Sequence, residues 1–320
     1  MRLVVHGQKA FGEAMLQRLL DRGDLVVAVC STPTGGNDPL ETLARESGLP
    51  LYKPQSWRSD EALDLMRSFE ADLCLMAYVL LPVSQLVLDA PALGTIQFHP
   101  SLLPYHRGPS SINWAIAKGA SRTGLTIFWP DEGLDEGPIL LQKTCEIGSN
   151  ETVGDVYFKR LFPMGVDAML ESLDLIKAGV VLKHAQDPAA GSYETWFSKS
   201  VAEIPWDRPA ADVFNTIRAA DPAPGAWTTF RGARVDVFNA LRGERAGQPG
   251  EVLALSDEGV VIAAGVGSIF ARRLRIEPEG KVPAIDIAHR LGLDVGDRFD
   301  WSDGSSPLDP RDEAMGNEAG

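Results

Sequence analysis

His99, Gln97 and Asp135 are the side chains whose types and settings suit proton-transfer chemistry. His99 ends an apolar run within Gln97-Phe98-His99-Pro100-Ser101-Leu102-Leu103-Pro104-Tyr105-His106-Arg107-Gly108. Asp135 lies in Asp131-Glu132-Gly133-Leu134-Asp135-Glu136-Gly137, after the apolar run 126–129. An imidazole, an amide and a carboxylate on turn-rich loops at the ends of apolar runs are placed as general acids and bases are. A lone histidine is most often structural. Here the strand-end position, the Gln97 amide and the Pro/Gly-punctuated loop beyond favour a chemical role. Gln97 and His99 share a face if the strand continues. His106 and Arg107 either meet an anionic ligand or are simply exposed. The four acids of 131–137 read as a solvated turn or as a metal loop, although calcium-loop spacing is absent. Asp135, followed by the strand-like run 138–141, is expected to point inward, where it could orient an imidazole and a nucleophile.

Short apolar runs at 3–5, 26–30 and 73–77 alternate with helical patterns at about 11–21, 39–47 and 60–69. This alternation predicts βαβ units and a parallel sheet. Runs 92–98 and 125–129 continue the strands, and 110–118 reads as a helix. The long helical pattern 152–179 contains Pro163, which should kink or break it. The first βα loop, His6-Gly7-Gln8-Lys9-Ala10-Phe11-Gly12, lacks the full G-x-G-x-x-G spacing, so NAD is not expected. Met76, Ala77, Tyr78, Leu80 and Leu81 lead off a strand. They would either wall a flat, apolar ligand pocket at the sheet's carboxyl edge or pack the core. Around 186–192 the chain is linker-like. A helix at about 209–219 and five short Gly-punctuated strands between 226 and 276 predict a small OB-like β-barrel. The expected organisation is a Rossmann-like domain over 1–182, a linker over 183–203, the barrel domain over 204–303 and a disordered tail over 304–320.

The 320 residues carry a net charge of −14, which disfavours nucleic acid as a partner. The three cysteines are widely spaced, as buried thiols of a reducing compartment would be. Zinc spacings such as Cys-x-x-Cys and His-Glu-x-x-His are absent, and no metal is expected. No apolar run reaches the roughly 20 residues of a membrane span, and the N-terminus reads as a strand rather than a signal peptide. A cytoplasmic location, away from membranes, is expected.

His99-Pro100-Ser101-Leu102-Leu103-Pro104 with Arg107-Gly108, and Gly133-Leu134-Asp135-Glu136-Gly137, resemble the two signature loops of the folate-dependent formyltransferase family. The resemblance covers about residues 1–300. Ser111-Ile112-Asn113-Trp114, Leu140-Leu141-Gln142-Lys143 and Pro224-Gly225-Ala226-Trp227 are most similar to the hydrolase domain of 10-formyltetrahydrofolate dehydrogenase. The carrier and aldehyde-dehydrogenase domains of such a dehydrogenase are not found, so the chain is not expected to be that complete enzyme. The resemblance implies a Rossmann-type domain, an OB-like C-terminal domain and 10-formyltetrahydrofolate as formyl donor. It implies His99 and Asp135 as the catalytic pair, and Gln97 in the place of the asparagine of the transferase pattern Asn-x-His. Folate would be held by Met76, Ala77, Tyr78, Leu80, Leu81, Ser101, Leu102, Leu103, Pro104, Arg107, Gly108, Asp131, Gly133 and Leu134.

In such a reaction water or an amine attacks the formyl amide, and the oxyanion needs donors about 3 Å away. His99 and the Gln97 amide could supply them while Asp135 takes the nucleophile's proton. Water, a small amine and initiator methionyl-tRNA are the open acceptors. Segment 31–39 is short and lacks Lys and Arg, where the resemblance implies a longer basic insertion for a tRNA enzyme. Arg231, Arg234, Arg242, Arg245, Arg272, Arg273 and Arg275 are a counter-signal. A folate-binding protein without activity is the alternative of another class.

Overall fold

The structure, a computed structural model, describes residues 1–33, 37–187 and 189–302. The expectation for the tail 304–320, and those touching residues 34–36 and Pro188, lie outside the described residues. The chain forms two compact units. The first comprises Met1–Gly108, Gly124–Cys145 and Phe158–Tyr193; the second comprises Pro109–Thr123, Glu146–Tyr157 and the chain from Glu194.

In the first unit β1 (Arg2–Gly7), α1 (Lys9–Asp21), β2 (Leu25–Cys30), α2 (Pro39–Glu46), β3 (Leu51–Tyr52), α3 (Asp60–Ser68), β4 (Leu73–Ala77), α4 (Gln85–Leu88) and β5 (Thr95–His99) follow the βαβ pattern. Caps set the helix starts: Asp38 accepts the Leu40 N–H before α2, and Ser59 accepts the Ala62 N–H before α3. After α5 (Ser111–Ala117) come β6 (Arg122–Phe128) and β7 (Ile139–Glu146). The sheet order is β3-β2-β1-β4-β5-β6-β7. The pairs from β3 to β5 are parallel.

The β5–β6 pair is antiparallel, with Gln97 opposite Phe128 and His99 opposite Thr126. The parallel sheet expected from the βαβ pattern thus continues into an antiparallel pair, and the reason is the connection. A parallel return needs a crossover that spans the sheet face. The seven-residue α5 belongs to the second unit instead, so β6 enters the sheet from its carboxyl edge.

Alternation along the strands divides the core. Val4, Cys74 and Met76 face a cluster with Trp57, Leu63, Met66 and Leu88. On β5 the Phe98 ring stacks on Phe11 with centroids 4.4 Å apart, and Phe162 meets Phe11 edge-on at 5.4 Å. Phe162 opens the helix that breaks the long helical pattern at Pro163. After α6 (Val153–Val156), a π-helical turn over Tyr157–Leu161 precedes α7 (Phe162–Lys177), so the proline falls in a first turn, where no N–H is needed. Gly165 of α7 lies against Phe98, where a Cβ would sit 2.6 Å from a ring carbon.

The second unit contains α8 (Ala210–Ala219), β8 (Ala226–Phe230), β9 (Ala233–Gly243), β10 (Val252–Ser256), β11 (Gly259–Ala263), β12 (Ser268–Arg275), β13 (Val282–Pro283) and α9 (Ala284–Leu291). These strands form one antiparallel sheet of order β10-β11-β12-β9-β8, with β13 on β12. Residues 297–300 tie its outer strands together: Val252 N–H donates to Asp297 O at 2.8 Å and Asp300 N–H to Thr229 O at 2.8 Å.

Candidate active site

The candidate site forms where β5 ends at the carboxyl edge of the first unit's sheet, and the loop that follows β6 brings Asp135 to it. His99 closes β5 and is 5% exposed. Its Nε2 lies 2.9 Å from His106 O, and a carbonyl can only accept, so this nitrogen carries the proton. Its Nδ1 faces Asp135 Oδ2 at 3.5 Å, an ionic contact longer than an ordinary hydrogen bond. Asp135 Oδ2 also accepts the Gly108 N–H at 2.8 Å. Of the four acids in 131–137 only Asp135 is buried, at 8% exposure. The arrangement can take up one proton between an imidazole and a carboxylate and present the remaining carboxylate oxygen to a reactant.

Left-handed backbone recurs in the loops that follow β4, β5 and β6. Tyr78 after β4, His106 after β5 and Asp135 after β6 all have left-handed backbones, with φ of 67°, 57° and 57°. Such residues cost roughly 1–2 kcal/mol each and persist where the surroundings hold them, often at active sites.

The other expected residues separate by burial. Gln97 is half-buried on β5, in register with Met76 and Phe128. Tyr78, Leu80, Leu81 and Leu134 are exposed apolar side chains on the edge loops. Although the ring is exposed, partial desolvation of its hydroxyl raises the Tyr78 phenol above its ordinary pKa. Met76 and Ala77 are buried; Met76 packs into the core cluster, and Ala77 O accepts the Gln8 N–H at 3.3 Å. Ser101 is fully buried and donates to Tyr105 O at 2.7 Å, bracing the turn. Leu103 is buried, with Leu102 and Pro104 half-buried. Gln142 donates to Leu103 O at 2.8 Å and to Thr126 Oγ1 at 2.9 Å. Exposed Asp131 accepts the Gly133 N–H at 3.0 Å.

Arg107 is not the simply exposed side chain that was one of its two readings from the sequence. It is 2% exposed, with Nη2 donating to Gln186 Oε1 at 3.1 Å and the guanidinium 4.9 Å from the Tyr193 ring centroid. The segment expected to be a linker thus supplies the site's supports. Gln186 Nε2 donates to Asp135 O and Gly137 O, both at 2.8 Å. Ser192 Oγ accepts the His106 N–H at 3.0 Å and Ser192 O the Arg107 N–H at 2.9 Å. Tyr193 donates to Glu136. Gly191 was a usable signal: with φ at 89°, its Cβ would lie 2.0 Å from Pro104 O. Glycine is there for close approach, not for flexibility.

A doubly wound sheet with a buried imidazole–carboxylate contact at its carboxyl edge is the layout of an α/β enzyme. The sequence pattern of the formyl transferase domain matches residues 1–173, and that of the formyl transferase C-terminal domain matches residues 197–291. The chain belongs to the formyltransferase family. It is 34% identical over 301 residues to mitochondrial 10-formyltetrahydrofolate dehydrogenase of Mus musculus, covering 89% of this chain and 33% of that protein. The chain therefore spans about a third of the length of that relative. It is 30% identical over 307 residues to methionyl-tRNA formyltransferase of Geobacter sulfurreducens, covering 93% of this chain and 96% of that enzyme. HypX from Aquifex aeolicus in complex with tetrahydrofolic acid shares the fold, with a TM-score of 0.67 at 22% identity over 97% of this chain and 50% of that one. Among the described residues no helix is long and apolar enough to cross a membrane, and no three or more His, Cys, Asp or Glu side chains group to hold a metal.

Proposed function

We propose that this chain removes the formyl group of 10-formyltetrahydrofolate and passes it to water or an amine, releasing tetrahydrofolate. The observation that carries this reading is the contact of His99 with Asp135, 3.5 Å apart on the two loops that resemble the family's signatures. Asp135 Oδ2 is committed to Gly108 and His99, which leaves Oδ1 to take the nucleophile's proton. The Gln97 amide donates to the oxyanion, and the His99 ring, when protonated, adds its positive charge beside it. Folate lies along the exposed apolar loop 78–81 and the 101–104 turn, with Gly108, Asp131, Gly133 and Leu134 on the opposite rim. Met76 and Ala77 shape this wall from beneath, and Arg107 supports it from within.

The reaction needs no dinucleotide. The α1 N-terminus, where a Rossmann fold holds pyrophosphate, already donates the Lys9 N–H to the Asp38 carboxylate at 2.8 Å. The C-terminal unit is read as the OB-like barrel, its edges joined through 297–300. Three free cysteines, two of them buried, suit the cytoplasm.

Water is the favoured acceptor. Gln97 stands where the transferase pattern has asparagine, and segment 31–39 offers no cation to a phosphate backbone. In the second unit Arg234 and Arg275 are bound to Asp236 and Arg231 to Asp297, which weakens the arginine counter-signal. Transfer to initiator tRNA is the second reading, favoured by the match over 96% of the Geobacter enzyme's length. Incubation with 10-formyltetrahydrofolate, with and without charged initiator tRNA, separates them. Formate release independent of tRNA is expected. Formylmethionyl-tRNA without formate would replace water as the acceptor, and folate binding without turnover would replace the enzyme with a binder.

A further inference from the structure

The structure assigns a positioning role to Gln186, whose amide holds the two loops of the His99–Asp135 pair in register. This inference rests on the function proposed above. Every hydrogen-bonding valence of the amide is used. Nε2 donates to Asp135 O and Gly137 O at 2.8 Å each, and Oε1 accepts from Arg107 Nη2 at 3.1 Å and Nε at 3.4 Å. Arg107 stands between His106, whose carbonyl takes the His99 Nε2–H, and Gly108, whose N–H binds the Asp135 carboxylate. One side chain thus joins the loop that orients the imidazole to the loop that carries the acid.

The Asp135 backbone makes this join matter. Its φ of 57° is left-handed, and a residue with a Cβ keeps that conformation where surrounding bonds hold it. Gln186 binds the carbonyl of that very residue. On the far side Gly137 is fixed by close approach, since its Cβ would sit 1.8 Å from Trp129 O. Without the two donated bonds, nothing else described on Gln186's side restrains the carbonyls of 135 and 137. The Asp135 carboxylate would drift from His99, and a misplacement of about 1 Å at a reacting group costs roughly 10²-fold in rate.

The test uses the full chain, Gln186→Glu and Gln186→Leu. Glutamate keeps the size of the side chain and its bonds from Arg107, so the fold is retained, but it cannot donate to either carbonyl. Formate release from 10-formyltetrahydrofolate, tetrahydrofolate affinity and thermal melting are measured for each. For Gln186→Glu, kcat is expected to fall about 10–100-fold while KM and tetrahydrofolate affinity stay within about threefold. Gln186→Leu should lose at least as much. A folded Gln186→Glu with wild-type kcat, or one whose loss lies in KM alone, overturns the positioning role. His99→Ala in parallel keeps the two failures apart. If it retains turnover, the reading of the site is wrong. If it is inactive while Gln186→Glu is fully active, only the role of Gln186 is wrong.

Discussion

Gly165→Ala is expected to destabilise the first unit and to slow catalysis, although alanine is the better helix former. Gly165 lies inside α7, and replacing an interior helical glycine by alanine gains about 0.8–1.0 kcal/mol of helix propensity. Against this, the new Cβ would stand 2.6 Å from Phe98 Cε2 and 3.0 Å from Phe11 Cε2. Carbon atoms pack at about 3.5–4.0 Å, so the Phe98 ring must retreat by about 1 Å. Toward Phe11 that retreat is blocked, because Phe98 and Phe11 are stacked at 4.4 Å and Phe162 meets Phe11 edge-on. A contact as short as 2.6 Å puts the cost in the upper part of the range for overpacking, about 2–3 kcal/mol, so the net loss should be about 1–2 kcal/mol. For a unit of this size that is a fall in Tm of about 2–8 °C. Phe98 lies between Gln97 and His99 on β5, so its displacement also moves the catalytic strand end. Thermal melting by circular dichroism, with formate release measured where both proteins are folded, tests the two parts separately. An unchanged or higher Tm would refute the packing argument. Unchanged turnover in the folded variant would refute the coupling to the site.

Acid stability should depend on His6. Burial against Trp57, with ring centroids 4.2 Å apart, lowers its pKa from the ordinary 6.5 to about 3. The folded state then holds His6 neutral while the unfolded chain protonates it below pH 6.5, so stability falls as pH drops from 6.5 toward 3. At pH 5 the loss is about 2 kcal/mol, and urea titrations of His6→Phe at pH 7 and pH 5 should lack that increment. A variant with the same pH slope as wild type would contradict this. In the second unit, Asp236 is buried between Arg275, at 2.5 Å, and Arg234, at 3.0 Å. Asp236→Ala should cost about 2–3 kcal/mol in denaturant unfolding, below the ~3–5 of a fully buried pair because the arginines are partly exposed. A loss under about 0.5 kcal/mol would mark it as a surface pair. Gly191→Ala should disrupt the 104–108 loop and lower kcat, since its Cβ would collide with Pro104 O at 2.0 Å; wild-type kcat would show that the loop tolerates the displacement.

The helices and most strands of the first unit were legible because periodicity and capping are local properties. The inward placing of His99 and Asp135 was legible from local signals too, a strand end for the first and a setting between Leu134 and the strand-like run 138–141 for the second. The direction of β6 was not, because it depends on where α5 goes rather than on the residues of β6. The burial of Arg107 was not legible because charge argues for exposure, while its burial rests on Gln186 and Tyr193, 79 and 86 positions along the chain. The polar, Gly-containing 186–192 stretch has the composition of a linker. Its contacts with the 104–108 and 135–137 loops are long-range, and composition carries no record of them. Met76 shows the converse: its place at a strand end suggested a ligand wall, but strand alternation turns the side chain into the core.

Tetrahydrofolate formation from 10-formyltetrahydrofolate by wild type, His99→Ala and Asp135→Ala, measured beside tetrahydrofolate binding, tests the central claim most directly. Wild type should turn over. Each variant should lose at least about 10²–10³-fold in kcat while binding tetrahydrofolate nearly as well, because the pair acts on the transition state and not on the bound folate. Turnover near wild type in either variant would contradict the account.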